Sequence, residues 1–195
     1  MRNSFLIPPK TFPVIDLGEF ILREKSDSDV EDFFAYYCNP KVSEFILCEI
    51  PRDLEEAKRE LSYWRNIFYR DDGLYFAIAE KNSGRMIGSI GLTSYNSYQS
   101  RIELSYDLAH QYWNRGIMTR AIAAVIKYAF KEFYCGRVNR IEASVSTANI
   151  PSKNLLLKCG FTLEGVLRQH RYHRETFVDV YFFSLLRSDF GAVEF

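Results

Sequence analysis

A chain of 195 residues is long enough to bury one substantial core and short for two full domains, so one domain is expected. Apolar residues at 47% and charged residues at 26% match an ordinary globular chain and exclude disordered and fibrous classes. Lys plus Arg equals Asp plus Glu at 25 each, so no global basic field exists to drive nucleic-acid binding, and no apolar run approaches the ~20 residues of a membrane span. Neither nucleic acid nor membrane is an expected partner. The four cysteines, Cys38, Cys48, Cys135 and Cys159, fall in no metal-ligand spacing and read as small hydrophobes of a reducing compartment, with no metal site expected. The amino end is broken by Pro8, Pro9, Pro13 and Asp16 and lacks the continuous apolar core of a secretory signal, which makes the cytoplasm the expected location.

Residues 1–18 read as a proline-interrupted lead-in outside the core, and residues 19–190 as the domain. Glu19 to Arg23 is a first strand. Ser26, Asp27, Ser28 and Asp29 offer N-caps for a helix through Asp32 to Tyr37, with Asn39-Pro40 as its stop. Asp53 opens a second helix whose apolar Ala57, Leu61, Trp64 and Phe68 recur every three or four residues. Tyr75 to Glu80 and Met86 to Tyr95 form an antiparallel hairpin about Asn82-Ser83-Gly84. Arg101 to Leu108 is the next strand; its alternation places Glu103 and Asp107 on one face.

The stretch Tyr106 to Ala129 then runs from that strand through a short polar loop into a long helix with apolar Ile117, Ala121, Ile122, Val125, Ile126 and Ala129 on one side. A helix start leaves its first N–H groups unpartnered and carries the positive end of the dipole, which suits a pyrophosphate. The loop lacks the lysine and Ser/Thr of a Walker loop and the three glycines of a dinucleotide fingerprint. A plain strand-to-helix turn is the alternative. Arg140 to Ser146 alternates again, Pro151 to Cys159 is a short helix ended by Gly160, and Phe161 to Leu186 is two strands around Arg174-Glu175-Thr176. The element order implies an α+β domain around a mixed, mainly antiparallel sheet.

Five segments carry a family likeness from about Phe20 to Phe190: Gly88 to Leu92 (GSIGL), Ile102 to Leu108 (IELSYDL), Tyr112 to Ala121 (YWNRGIMTRA), Asn139 to Phe161 and Glu164 to Tyr172 (EGVLRQHRY). In their order and spacing the chain resembles the GCN5-related N-acetyltransferases (GNAT), in the branch with the ribosomal-protein N-terminal acetyltransferases RimJ and RimL. The family loop pattern, Gln/Arg-x-x-Gly-x-Gly/Ala, lands on Trp113 to Met118, where Gly116 matches strictly. Backbone N–H groups do most of the holding in such loops, so Trp113 and Met118 need not abolish binding. Asn114 replaces a glycine common in this branch and is a residue that tolerates αL geometry.

The resemblance implies a single GNAT-like domain with helices on both sheet faces and splayed central strands. It implies acetyl-CoA as cosubstrate, held by Trp113, Asn114, Arg115, Gly116, Ile117, Met118 and Thr119 at the pyrophosphate and by Tyr106, Asp107 and Leu108 along the pantetheine. An amine would enter from the opposite side and attack directly in a ternary complex. Glu103 matches the family's acidic strand residue and is the candidate base, with a solvated strand carboxylate as the alternative and a histidine base also open. The family's tyrosine acid falls on Leu156 and cannot operate there. Asn149 would contact the pantetheine and Ser152 the sulfur, or both simply cap a helix.

Arg168, His170, Arg171, His173 and Arg174 form a basic cluster on the last hairpin, either a docking surface or a solvated face. The acceptor expected from the resemblance is a protein N-terminal α-amine, such as a ribosomal protein's, or a small amine, and a homodimer is compatible with the family. The competing class is a catalytically silent acyl-CoA-binding sensor or interaction module.

Overall fold

The computed structural model of the chain describes residues 11–133 and 135–190. In chain order the elements are β1 (Ile15–Asp16), β2 (Phe20–Arg23), α1 (Val30–Tyr37), α2 (Pro40–Ser43), α3 (Leu54–Asn66), β3 (Gly73–Glu80), β4 (Met86–Asn96), β5 (Arg101–Leu108), α4 (Ile117–Lys131), β6 (Arg140–Ser146), α5 (Ile150–Lys158), β7 (Thr162–His173) and β8 (Thr176–Leu186). The strands make one sheet in the order β1-β2-β3-β4-β5-β6-β8-β7. Among them β5 and β6 run parallel, and the other neighbours are antiparallel.

Local signals account for most boundaries. Asp53 caps α3 by accepting from the Glu56 N–H at 2.8 Å, which satisfies one of the orphan donors of a helix start. Before α1, the Ser26 N–H donates to Asp29 at 2.8 Å, and the Arg23 guanidinium grips the same carboxylate with two bonds of 2.7 Å. Asn39-Pro40 ends α1 as expected but also begins α2. Asn39 accepts from the Lys41 N–H at 3.0 Å, and proline occupies a first-turn position that needs no N–H donor.

Successive strand residues face opposite sides of a sheet. On β3, Tyr75 meets Trp64 of α3 at 4.8 Å between ring centroids, and its neighbour Phe76 meets Tyr128 of α4 at 6.4 Å. Helices α3 and α4 therefore cover opposite faces, with the core between them and the sheet. Residues 11–18, expected as a lead-in outside the core, differ from that reading. Phe12 is buried with its ring 4.9 Å from Phe68 and 5.2 Å from Phe76, and β1 pairs with β2. Pro13 interrupts this segment, but an aromatic side chain still gains by leaving water. Residues 1–10 lie outside the described residues.

The feature that makes a site possible is the junction of β5 and β6. The two strands pair only over Arg101–Glu103 and Arg140–Glu142, although β5 continues to Leu108 and β6 to Ser146. Arg101 and Arg140 both reach Glu142, at 2.7 and 2.8 Å, across the closed end. Beyond it the strands diverge, and the sheet is splayed at its centre as expected.

Candidate active site

The end of β5 turns sharply. One turn of 3-10 helix over His110–Tyr112 leads to Trp113, whose indole N–H donates to the Leu108 carbonyl at 2.7 Å and folds the loop back onto the strand. Asn114 and Gly116 both adopt left-handed geometry, with φ of 59° and 71°, conformations that Asn and Gly accept at least cost. Gly116 is the residue before α4, and no side chain caps the helix there. A Cβ on Gly116 would meet nothing within 4 Å, so the first turn of α4 opens on free space. An uncapped helix terminus beside open space is a cradle for an anion.

That cradle is one end of a cavity of about 480 Å³ on which Trp113 to Thr119 converge with Asn149, Ser152 and Lys158. Helix α5 supplies the second wall. Asn149 caps it by accepting from the Ser152 N–H at 3.1 Å, the capping role weighed for this pair. The Ser152 hydroxyl remains available to the site and lies 2.7 Å from that of Tyr106. Burial pushes the Tyr106 phenol well above its ordinary range, so at neutral pH it is a proton-bearing donor. Leu156 is fully buried and occupies core, and Cys159 is buried beside it with its thiol pushed up to about 11 by burial.

A second cavity of about 340 Å³ opens on the α1 and α3 side of the sheet. Tyr106, Asp107, Asn149 and Ser152 line both cavities, so the splay joins them. The walls of the second carry Phe33, Tyr37, Trp64 and Tyr75, and its acidic groups are Glu103 and Asp107. Glu103 stands toward the outer part of the strand, with Arg171 of β7 at 3.5 Å. Asp107 accepts from the Tyr36 hydroxyl at 2.7 Å. That hydroxyl is 3.0 Å from the Ser89 hydroxyl, which in turn accepts from the Lys25 ammonium at 2.6 Å.

Burial pushes the Asp107 carboxyl up to about 6, against the pull of the Lys25 charge and of hydrogen bonds from Tyr36 and Ser89. Burial likewise draws the Lys25 ammonium down to about 8, against the opposing effect of Asp107. Desolvation is the leading cause for both, because each charge has exchanged water for few partners. Gly91 makes room for Tyr75 in the wall of this pocket: a Cβ there would come within 2.3 Å of the Tyr75 ring. Its absence lets Tyr75 lie across β4 and accept a hydrogen bond from Ser105 at 3.1 Å.

All the residues expected at the cosubstrate are found around the first cavity, and Glu103 lies in the second. The basic cluster is dispersed. Arg171 turns to Glu103 and Arg174 reaches the Ser43 carbonyl at 3.3 Å, while the Nε2 of His173 is buried without a hydrogen bond and burial lowers its pKa. Sequence reasoning missed Lys25, Tyr36 and Ser89, and assigned Tyr106 and Asp107 only to the cosubstrate. The signal for the first three was faint: a lysine beside a capping segment, one of two adjacent helix tyrosines, and a serine between two strand glycines. Among the described residues no group of three His, Cys, Asp or Glu is arranged to hold a metal, and no helix is long and apolar enough to cross a membrane.

A mixed sheet opened between two parallel strands, with one cavity at a helix terminus and a second across the opening, is the architecture on which comparison with known proteins bears. The chain belongs to the GNAT acetyltransferases, whose family model, described as Acetyltransferase (GNAT) domain, matches residues 19–162. It is 30% identical over 176 residues to YoaA of Bacillus subtilis, an uncharacterized N-acetyltransferase, covering 90% of this chain and 98% of that one. Among solved structures it is similar to a ribosomal-protein-S5-alanine acetyltransferase from Vibrio fischeri, with a TM-score of 0.77, 22% identity, and coverage of 91% and 98% of the two chains. It is also similar to RimL, a ribosomal L7/L12 alpha-N-protein acetyltransferase solved in complex with Coenzyme A, with a TM-score of 0.78, 19% identity, and coverage of 89% and 98%. The likeness to those two structures is one of fold.

Proposed function

We propose that the protein is an acetyl-CoA-dependent N-acetyltransferase that transfers acetyl to a primary amine by direct attack in a ternary complex. The observation that carries this reading is the meeting of the two cavities at Tyr106 and Ser152. The first turn of α4 would hold the pyrophosphate through backbone N–H groups, and the Lys158 ammonium lines the same cavity. The β5 backbone from Leu104 to Leu108 has no β6 partner on the open side, which suits pantetheine amides joining as an added strand does. Bound acetyl-CoA supplies the activated acetyl group, and the amine displaces the thiol from it.

The Tyr106 and Ser152 hydroxyls, 2.7 Å apart, would give a proton on the sulfur side. Glu103 and Asp107 put carboxylates on the amine side. The aromatic walls exclude water and strengthen every polar contact made there. The acceptor class favoured is a protein N-terminal α-amine, as for the RimL-like neighbours, with small amines next.

The test is calorimetric titration of the protein with acetyl-CoA, followed by turnover on ribosomal-protein N-terminal peptides, polyamines and aminoglycosides. Saturable binding and amide formation support the reading. Binding with no turnover on any amine would favour a silent acyl-CoA sensor, and no binding would sink both.

A further inference from the structure

The second cavity contains two carboxylates, and they differ in what surrounds them. Glu103 is at its outer part, about a third exposed, with the half-exposed Arg171 guanidinium beside it. Three residues separate it from Tyr106, which along a strand is about 10 Å. Asp107 adjoins Tyr106 in the chain and lies at the splay itself, lining both cavities. It is also built in. The Tyr36 hydroxyl donates to it at 2.7 Å, and a chain of short contacts runs from Tyr36 through Ser89 to the buried Lys25 ammonium.

We propose that Asp107, oriented by Tyr36 and faced by Lys25 through Ser89, is the group that takes the proton from the acceptor amine. This rests on the acetyltransferase reading above. As the amine nitrogen bonds to the acetyl carbon it loses one N–H proton to the Asp107 carboxylate. The carbon–sulfur bond breaks with its electron pair on sulfur, and that sulfur takes a proton through the Ser152 and Tyr106 hydroxyls, which recover it from water. Asp107 returns its proton to solvent, so the products are an amide and a free thiol. Tyr36 and Lys25 are positioning residues: they keep the carboxylate turned to the cavity and tune how readily it accepts a proton.

The groups facing Asp107 come from every element packed on that side. They are Lys25 after β2, Tyr36 and Tyr37 of α1, Cys48 before α3, Tyr75 of β3 and Ser89 of β4, while Glu60 of α3 acts on Lys25, Tyr37, Cys48 and Tyr75. The phenols of Tyr36, Tyr37 and Tyr75 are all raised by burial and stay neutral. Lys25 is then the cation that acts on Asp107, and Asp107 is the leading anion for Lys25, ahead of Asp29 and Glu60. With the carboxyl held up to about 6, it is ionised at neutral pH yet basic enough to take a proton, the balance expected of a general base.

The experiment is the pH profile of kcat/KM for an accepted amine in the wild type and four variants. Asp107→Asn is expected to lower kcat by about 10²-fold or more and to abolish the acidic limb, with acetyl-CoA affinity kept. Glu103→Gln is expected to cost less than Asp107→Asn. Lys25→Met and Tyr36→Phe each remove a group that stabilises the carboxylate, so both shift the acidic limb to higher pH, which a purely structural role would not do.

A readout independent of turnover is carbon-13 NMR of the aspartate carboxyls in the free protein. The resonance lost in Asp107→Asn should titrate in the wild type near pH 6 and higher in Lys25→Met. A wild type that acetylates amines while Asp107→Asn keeps most of the rate would overturn the proposal and leave the acetyltransferase reading standing. An unmoved limb in both Lys25→Met and Tyr36→Phe would overturn it too, even if Asp107→Asn fails to fold. A wild type that neither binds acetyl-CoA nor transfers acetyl would remove the broader reading and this one with it.

Discussion

The hydroxyls of Tyr106 and Ser152 lie 2.7 Å apart across the mouth between β5 and α5, although 46 residues separate them in the chain. Each holds the other in place, and in the proposed reaction a proton passed to sulfur from one would be replaced through the other. Tyr106→Phe and Ser152→Ala are each expected to lower kcat by about 10²-fold, with acetyl-CoA binding retained. Because the pair acts as a unit, the double variant should cost little more than either alone. Losses that multiply would mean that the two hydroxyls act separately.

Gly116 begins α4 with φ at 71°. Alanine there has room for its Cβ but not the conformation, so Gly116→Ala should cost about 1–2 kcal/mol and lower the melting temperature by a few degrees. The new methyl would stand in the space left open at the first turn of the helix, so the Kd for acetyl-CoA should rise as well. An equal loss of stability with an unchanged Kd would separate the loop's backbone role from its binding role.

The two tryptophans of the chain report on different cavities, Trp113 on the first and Trp64 on the second. In Trp64→Phe, fluorescence should respond to acetyl-CoA and not to the acceptor alone. In Trp113→Phe the response should follow the acceptor. The latter change also removes the indole bond to the Leu108 carbonyl, at a cost of about 1 kcal/mol. Titrations of the two variants with each substrate give the outcome directly.

Arg23 and Asp29 hold β2 to the start of α1 by a two-bonded pair in which Asp29 is 2% exposed. Burial alone would raise the Asp29 carboxyl, but bonds from Arg23 and Ser26 outweigh it and the net shift is downward from 3.8. A lowered folded pKa adds stability above the unfolded value and loses it as pH falls through the folded one. Asp29→Asn should therefore destabilise by about 1–3 kcal/mol at neutral pH, because the half-buried Arg23 guanidinium loses its carboxylate and keeps only the Glu24 and Gly84 carbonyls. The difference from wild type should narrow as the pH falls below 3.8 and through the lowered folded value. Urea unfolding at the two pH values measures it, and a constant difference would remove the ion pair as its cause.

Much of the fold was legible along the chain. The bounds of β5 and β6 agree with those read from alternation, and α4 begins after Gly116 as its glycine and apolar spacing imply. The turn from β5 into α4 was legible for the same reason, since a strand, a loop and a helix start are contiguous and their geometry is local. Phe12 was not: its burial depends on Phe68 and Phe76, neither of them near in sequence. The double role of Asn39-Pro40 was missed because a proline that ends one helix satisfies equally well the first turn of another.

The sequence by itself determined the elements other than β1 and α2, the loop that opens α4, and the presence of Glu103 and Asp107 on one face of β5, because periodicity and capping act within a few residues. Tertiary structure decided which side chains meet. The contacts from Lys25 to Ser89, Tyr36 to Ser89 and Tyr36 to Asp107 span 64, 53 and 71 residues. They exist only because α1 packs over β4 and β5. The opening between β5 and β6 likewise comes from strands that begin paired and then part, and no local pattern in either strand encodes the distance to the other.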